Sequence, residues 1–258
     1  MTILFHEIVY GPVHSRRMGT SLGVNLLPCD GKLCSFDCIY CECGFNKDFR
    51  TKTKLPGREL VMAAMEDKLN LLREKGTKLN VITFAGNGEP TMHPEFEKII
   101  DDTIALRNHA YPQTRISVLS NGMHLSKKSV FNALQKVENP ILKLDSPFDE
   151  TVRLMDRPNA PGYSVATQVE HYKQFQGNFI LQTLFLKGTF EGNVIDNTTE
   201  KEVSAWLALI RELRPREVMI YTIDRETPSG ELKKAPLPVL QKIAERVGEL
   251  GIKTNVAG

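Results

Sequence analysis

The sequence predicts an α/β fold, a partial (βα)6 barrel with parallel strands. Three observations carry this expectation. A short apolar run followed by a helix-length amphipathic segment recurs six times along the chain, and such alternation builds a parallel sheet covered by helices. Glycine-rich or polar turns gather just after the apolar runs, where the strand ends of a barrel form its working face. The length, 258 residues, suits one barrel-sized unit, so a single domain over 1–258 is expected, with an N-terminal segment 1–19 and a core barrel from about 20 to 258.

The elements follow in order. The first strand is expected at about 21–27, leading into a cysteine-rich loop, and the helix from about 58 to 75 places Val61, Met65, Leu69 and Leu72 on one face before Gly76 stops it. A second strand, 79–85, ends in Gly86-Asn87-Gly88-Glu89-Pro90 and is followed by a helix with Pro94 near its start and Phe96, Ile99, Ile100 and Ile104 inward. The third strand, 115–119, ends in Ser120-Asn121-Gly122 before a helix at about 127–137. Strands at 141–145, 178–187 and 217–223 complete the set, with helix-length segments after each. Thr199 and Glu202 have capping-box spacing. Leu240, Ile243, Val247 and Leu250 mark the last helix, and a short strand is expected at 252–256.

Composition narrows the classes. Hydrophobic residues make up 41% and charged residues 25%, which describes a globular chain with a sizeable core. A formal charge of +2 is too small to argue for nucleic acid by itself. The exception is the basic loop Lys47, Arg50, Lys52, Lys54 and Arg58, which could engage phosphates or form a solvent-facing lid. Residues 1–7 lack the basic flank and apolar core of a signal peptide, and no apolar stretch reaches membrane-spanning length, so the expectation is a cytoplasmic protein with no membrane association.

Cys34, Cys38 and Cys41, spaced C-x3-C-x2-C, carry the chemistry. A short loop of this kind can supply three thiolates to an iron–sulfur cluster and leave the fourth iron open. An open position marks a metal that reacts rather than one that braces a fold. Zinc held with Cys29 or Cys43 is the competing reading, although only one Cys-x2-Cys half is present. Five cysteines, an odd count, argue against a disulfide framework.

With Tyr40 preceding the last cysteine, this run resembles the radical S-adenosylmethionine (radical SAM) superfamily. The resemblance implies a 4Fe–4S cluster on Cys34, Cys38 and Cys41, with S-adenosylmethionine chelated at the open iron. It also implies one-electron cleavage to a 5′-deoxyadenosyl radical that abstracts hydrogen from a substrate, and a reducing partner such as flavodoxin or ferredoxin. Gly86, Asn87, Gly88 and Glu89 look like the family's Gly-Gly-Glu-Pro segment, whose backbone and carboxylate meet the cofactor's ammonium end. Asn87 stands in place of the second glycine, and asparagine tolerates left-handed backbone. Ser120 and Asn121 could bond the cofactor's ribose or carboxylate, or simply fill a turn. Asp145 and Gln182 are polar where strands point inward, and either a cofactor or a structural partner would satisfy them. Tyr221 and Ile223 could pack on adenine or fill the core.

The segment from Gly11 to Gly44 resembles the group containing the archaeal-type wyosine synthases, which modify transfer RNA. That implies a modified RNA base as substrate. Those synthases carry an upstream cysteine set and a Schiff-base lysine, whereas here only Cys29 and Lys32 lie upstream, and Lys32 is expected to be exposed. Activation of a glycyl radical enzyme, with a protein as substrate, is a second enzymatic reading; a zinc or iron–sulfur binding module is the non-enzymatic one. Arg16, Arg17, Arg153, Asp156, Arg157, Asp224 and Arg225 are loop charges that either touch substrate or are solvated.

Overall fold

The computed structural model describes residues 3–15 and 18–258. Arg16 and Arg17, raised above as possible substrate contacts, lie outside the described residues. The chain divides into two compact units, one of residues 4–34 and 46–140, the other of Ile3 with residues 35–45 and 141–258.

In the first unit, β1 (Val9–Ser15) pairs antiparallel with β2 (Gly19–Val24), and β2, β3 (Val81–Phe84) and β4 (Arg115–Ser120) run parallel. The expected strands are present with shifted ends: β2 starts and stops earlier than expected, β3 is shorter at both ends and β4 is one residue longer, while β1 is an addition. Helix α1 (Arg58–Glu74) buries Val61, Met65, Leu69 and Leu72, the four residues whose spacing calls for it. Its N-cap, Gly57, offers no side-chain cap. A missing cap costs about 1 kcal/mol, whereas four buried aliphatic side chains contribute roughly 1.5–3 kcal/mol each, so packing decides the helix. Arg58 is not part of the basic loop: it opens α1 and pairs with Asp102 of α2 (Phe96–Ala110) at 2.6 Å. Helix α3 (Lys128–Lys136) follows β4.

In the second unit, β5 (Asn139–Lys143, from Ile141 onward), β6 (Ile180–Leu184), β9 (Glu217–Tyr221) and β11 (Lys253–Ala257) are parallel neighbours. The single strand expected at 178–187 is broken at Phe185 into β6 and β7 (Leu186–Phe190). Strand β7 joins β8 (Asn193–Asp196) and β10 (Leu232–Lys234) in a separate antiparallel sheet. The helices here differ in kind: α4 (Asp149–Met155) and α5 (Val165–Lys173) are short, while α6 (Glu200–Leu213) and α7 (Leu237–Gly248) show full amphipathic faces. At α6 only half of the capping box forms: Thr199 Oγ1 accepts from the Glu202 N–H, but the Glu202 carboxylate turns away to Ser146 and Thr151. No helix among the described residues is long and apolar enough to cross a membrane.

Candidate active site

The end of β3 organises the candidate residues of the first unit. Gly88 has φ +142°, and a Cβ there would stand 1.8 Å from the carbonyl oxygen of Leu33, the residue before Cys34. Only glycine lets these backbones pass, and Leu33 uses the approach: its N–H donates to Asn87 O at 2.8 Å and its carbonyl accepts from Glu89 N at 3.2 Å. The left-handed position therefore falls on Gly88 and not on Asn87. Asn87 is fully buried and ties chain segments together: its amide accepts from Phe5 N (2.8 Å) and donates to Phe5 O (2.8 Å) and Pro28 O (2.9 Å). Gly86 leaves room for Asn25, whose Oδ1 accepts the Asn87 N–H.

Glu89 is 3% exposed. Burial pushes its carboxyl above the usual range, opposed by donors from Thr91, the Asn121 backbone and Ser120. Its Oε1 accepts from Thr91 N (3.1 Å), Thr91 Oγ1 (2.5 Å) and Ser120 Oγ (2.8 Å), and Oε2 from Asn121 N (2.7 Å). One carboxylate thus locks the turn after β3 to the turn after β4. Asn121 in turn donates from Nδ2 to Cys34 Sγ at 3.8 Å. Lys32 is not exposed as expected: it is 3% accessible, because the loop carrying it lies under residues 49–51, where its N–H donates to Phe49 O. Cys29 accepts from Asn25 Nδ2 at 3.8 Å, and burial raises its pKa.

In the second unit the cysteine loop is held by main-chain bonds to the end of α4. Asp37 N donates to Asp156 O (3.0 Å), Ile39 N to Met155 O (2.9 Å), and Cys41 N to Cys38 O (3.1 Å). Tyr40 lies within a buried polar cluster. Its hydroxyl donates to the Asp145 carboxyl and to Asp156 Oδ1 (2.8 Å) and accepts from Lys143, whose ammonium stands 2.5 Å from Asp145 and 3.3 Å from Asp156. A single phenolic proton cannot serve two carboxylates. The conflict is relieved by keeping Asp156 protonated, since burial and then the neighbouring Asp145 charge push it up to about 8. Burial alone would lower Lys143, but Asp145 and Asp156 outweigh it and hold the lysine well above its usual value. At neutral pH Lys143 therefore carries its charge beside an Asp156 held largely protonated.

Lys143 is a member of the site that the sequence does not single out, and Asp156, expected to be a loop charge, is 1% exposed. The signal for Lys143 is its i, i+2 spacing from Asp145, which puts both on one side of an extended segment. Gln182 is buried on β6 opposite Lys143, and Tyr221 lies opposite Leu184 at the edge of the apolar cluster around Tyr40. Ile223, Asp224 and Arg225 line a cavity of about 540 Å³ whose wall includes Cys41, and Arg225 pairs with Glu42 at 2.6 Å. Cys43 is buried.

The donor chemistry suits an iron–sulfur cluster: Cys34, Cys38 and Cys41 are free of disulfides and half-buried. A family model described as the radical SAM superfamily matches residues 30–189. The chain belongs to the radical SAM superfamily. It is 30% identical over 229 residues to a protein named GTPase Obg of Brachyspira hyodysenteriae, covering 87% of this chain but only 31% of that one. It is 26% identical to a UPF0026 protein of Methanocaldococcus jannaschii, over 96% of this chain and 74% of that protein. Among solved structures it is similar to a radical SAM methyltransferase from Sphaerobacter thermophilus, with TM-score 0.67, 16% identity, and 92% and 65% of the two chains covered. It is also similar to Streptococcus suis SuiB bound to S-adenosylmethionine (TM-score 0.63, 15% identity, 89% and 49%) and to TYW1 with a lysine–pyruvate adduct (0.58, 14%, 90% and 74%). These likenesses establish the α/β fold with parallel strands expected from the sequence. As a radical SAM enzyme the protein is implied to use a 4Fe–4S cluster, S-adenosylmethionine and a reductant.

Proposed function

We propose that this radical SAM enzyme, with residues 1–258 acting as one catalytic domain, holds a 4Fe–4S cluster on Cys34, Cys38 and Cys41 and acts on a modified base in RNA. Cys34, Cys38 and Cys41 would hold the cluster, which when bound would supply one-electron reduction of S-adenosylmethionine, breaking its sulfonium–C5′ bond to leave methionine and the radical chemistry that abstracts hydrogen from the substrate. The observation that carries the reading is the set of three half-buried cysteines, none in a disulfide, at C-x3-C-x2-C within the matched family region.

The chain's own residues have definable tasks. Asn121 donates to Cys34 Sγ, and hydrogen bonds to sulfur shape cluster potential. Gly86, Asn87, Gly88 and Glu89 present backbone and a buried acid to the amino-acid end of the cofactor, with Ser120, Asn121, Asp145, Gln182 and Tyr221 as further contacts. Tyr40 is fixed by Asp145, Asp156 and Lys143, so the segment between Cys38 and Cys41 is held in one geometry.

Support for RNA comes from the loop after the cysteines. Lys47, Arg50, Lys52 and Lys54 are exposed, and Asp30 pins their loop by accepting from Thr51 Oγ1, Lys52 N, Thr53 N and Thr53 Oγ1 at 2.6–3.1 Å. These bonds hold the Asp30 carboxyl down at about 2, so the loop stays pinned across the neutral range. A preformed basic loop suits phosphates. The test is filter binding of transfer RNA to wild type and to a Lys47→Ala/Lys52→Ala/Lys54→Ala variant at two salt concentrations. Loss of binding and a shallower salt dependence in the variant support RNA; salt-independent or absent binding by the wild type favours a glycyl radical protein as substrate.

A further inference from the structure

Arg157 has a setting that the proposed chemistry does not yet use. It follows α4 in the left-handed conformation, φ 50°, at a helix end where glycine is the usual residue. Its N–H closes the helix on Val152 O at 3.1 Å, and its carbonyl accepts from Asp37 N at 3.2 Å, inside the cysteine loop. Four non-glycine described residues have positive φ, and Arg157 is the one whose side chain rests on aromatic rings.

Those rings are Phe45, four residues beyond Cys41, and Phe190 at the end of β7. Their centroids are 6.0 Å apart with planes tilted by 47°, and the guanidinium carbon sits 5.4 Å from one and 5.2 Å from the other. The group therefore lies in the notch between two rings. Both rings pack with the apolar cluster of Ile39, Tyr40 and Met155, against which Cys38 also packs. The adjacent acid, Asp156, is turned to Tyr40 and Lys143. Among the described residues no carboxylate or carbonyl accepts from the Arg157 guanidinium. A guanidinium held against two aromatic rings, with no acceptor for its N–H donors among the described residues, is suited to take a carboxylate or phosphate in two parallel hydrogen bonds.

We propose that Arg157, seated on Phe45 and Phe190, is the anion-binding residue for the substrate, clamping a carboxylate or phosphate group of the molecule that the radical attacks. This rests on the radical SAM reading and adds the chemical class of the substrate's anchoring group. A point charge on a flexible stem would not reproduce it, so lysine is a poor replacement.

The test is calorimetric titration of the cluster-loaded protein with inorganic phosphate, with succinate and with S-adenosylmethionine, for wild type, Arg157→Lys, Arg157→Gln and Phe45→Leu. Circular dichroism checks that each variant is folded. Loss of a bidentate, charge-assisted pair should weaken phosphate or succinate binding by about tenfold or more in Arg157→Gln, with a smaller loss in the other two, while S-adenosylmethionine affinity stays within about twofold. A tenfold loss of S-adenosylmethionine affinity with anion binding unchanged would overturn the proposal and give Arg157 to the cofactor. Equal anion binding by wild type and Arg157→Gln, or none by wild type, would overturn it too. The radical SAM reading has a separate readout, release of 5′-deoxyadenosine by the wild type, so the two can fail independently.

Discussion

Replacing Asp156 with asparagine should stabilise the protein at neutral pH while flattening its pH dependence. The side chain is 1% exposed, and its carboxyl is pushed from the usual 3.8 up to about 8 by burial and by Asp145. A carboxyl whose folded pKa is raised favours folding fully below its unfolded pKa, and that contribution is lost as pH rises toward the folded pKa. Between pH 5 and 8 the unfolded chain has this group ionised while the folded chain keeps it protonated, so stability falls by about 1.4 kcal/mol per pH unit, or roughly 4 kcal/mol over the window. An asparagine at this position carries no such linkage, and its amide can donate to the Tyr40 oxygen while its carbonyl accepts from Lys143. Urea unfolding of the metal-free chain at pH 5, 6, 7 and 8 should show the variant gaining on wild type by up to about 4 kcal/mol across the series. Parallel curves, with the difference constant to within about 1 kcal/mol, would refute a protonated Asp156.

Other consequences concern the strand-end turns. Gly88→Ala forces a Cβ into Leu33 O at 1.8 Å with φ at +142°; overpacking of this kind costs roughly 1–3 kcal/mol, and iron bound per chain after reconstitution should fall severalfold because Cys34 is displaced. Asn87→Gly, the change toward the family pattern, removes three hydrogen bonds to Phe5 and Pro28, one buried and two part-buried, and a loss of about 2–4 kcal/mol is expected in urea unfolding. Lys143→Met leaves Asp145 buried without its cation, which should cost about 3–5 kcal/mol; the same urea unfolding measures it.

The legible parts of this protein are those written in short-range patterns. The Val61, Met65, Leu69 and Leu72 face and the Gly86–Glu89 turn are each written within one short stretch of sequence, and each appears where the pattern puts it. The polar cluster at Tyr40 is not legible because its members come from the cysteine loop, β5 and the end of α4, and a charge after a helix is ordinarily solvated. Burial of Asp156 follows from tertiary packing around Tyr40, which no local propensity encodes. The sheet of β7, β8 and β10 escapes for a related reason: the apolar run 178–187 continues through Phe185, so hydrophobicity hides the break between two strands. Arg157 carries a weak signal, since an arginine before Pro158 at a helix end occupies a place where glycine is favoured.

The most direct measurement of the central claim is anaerobic cluster reconstitution, reduction in the presence of S-adenosylmethionine, and chromatography for 5′-deoxyadenosine, with Cys34→Ala, Cys38→Ala and Cys41→Ala beside the wild type. The account predicts 5′-deoxyadenosine from the wild type and none from any variant, with cluster absorption lost in all three. A loaded, reducible wild-type cluster that neither binds S-adenosylmethionine nor releases 5′-deoxyadenosine, or a Cys38→Ala protein that does both, would contradict it.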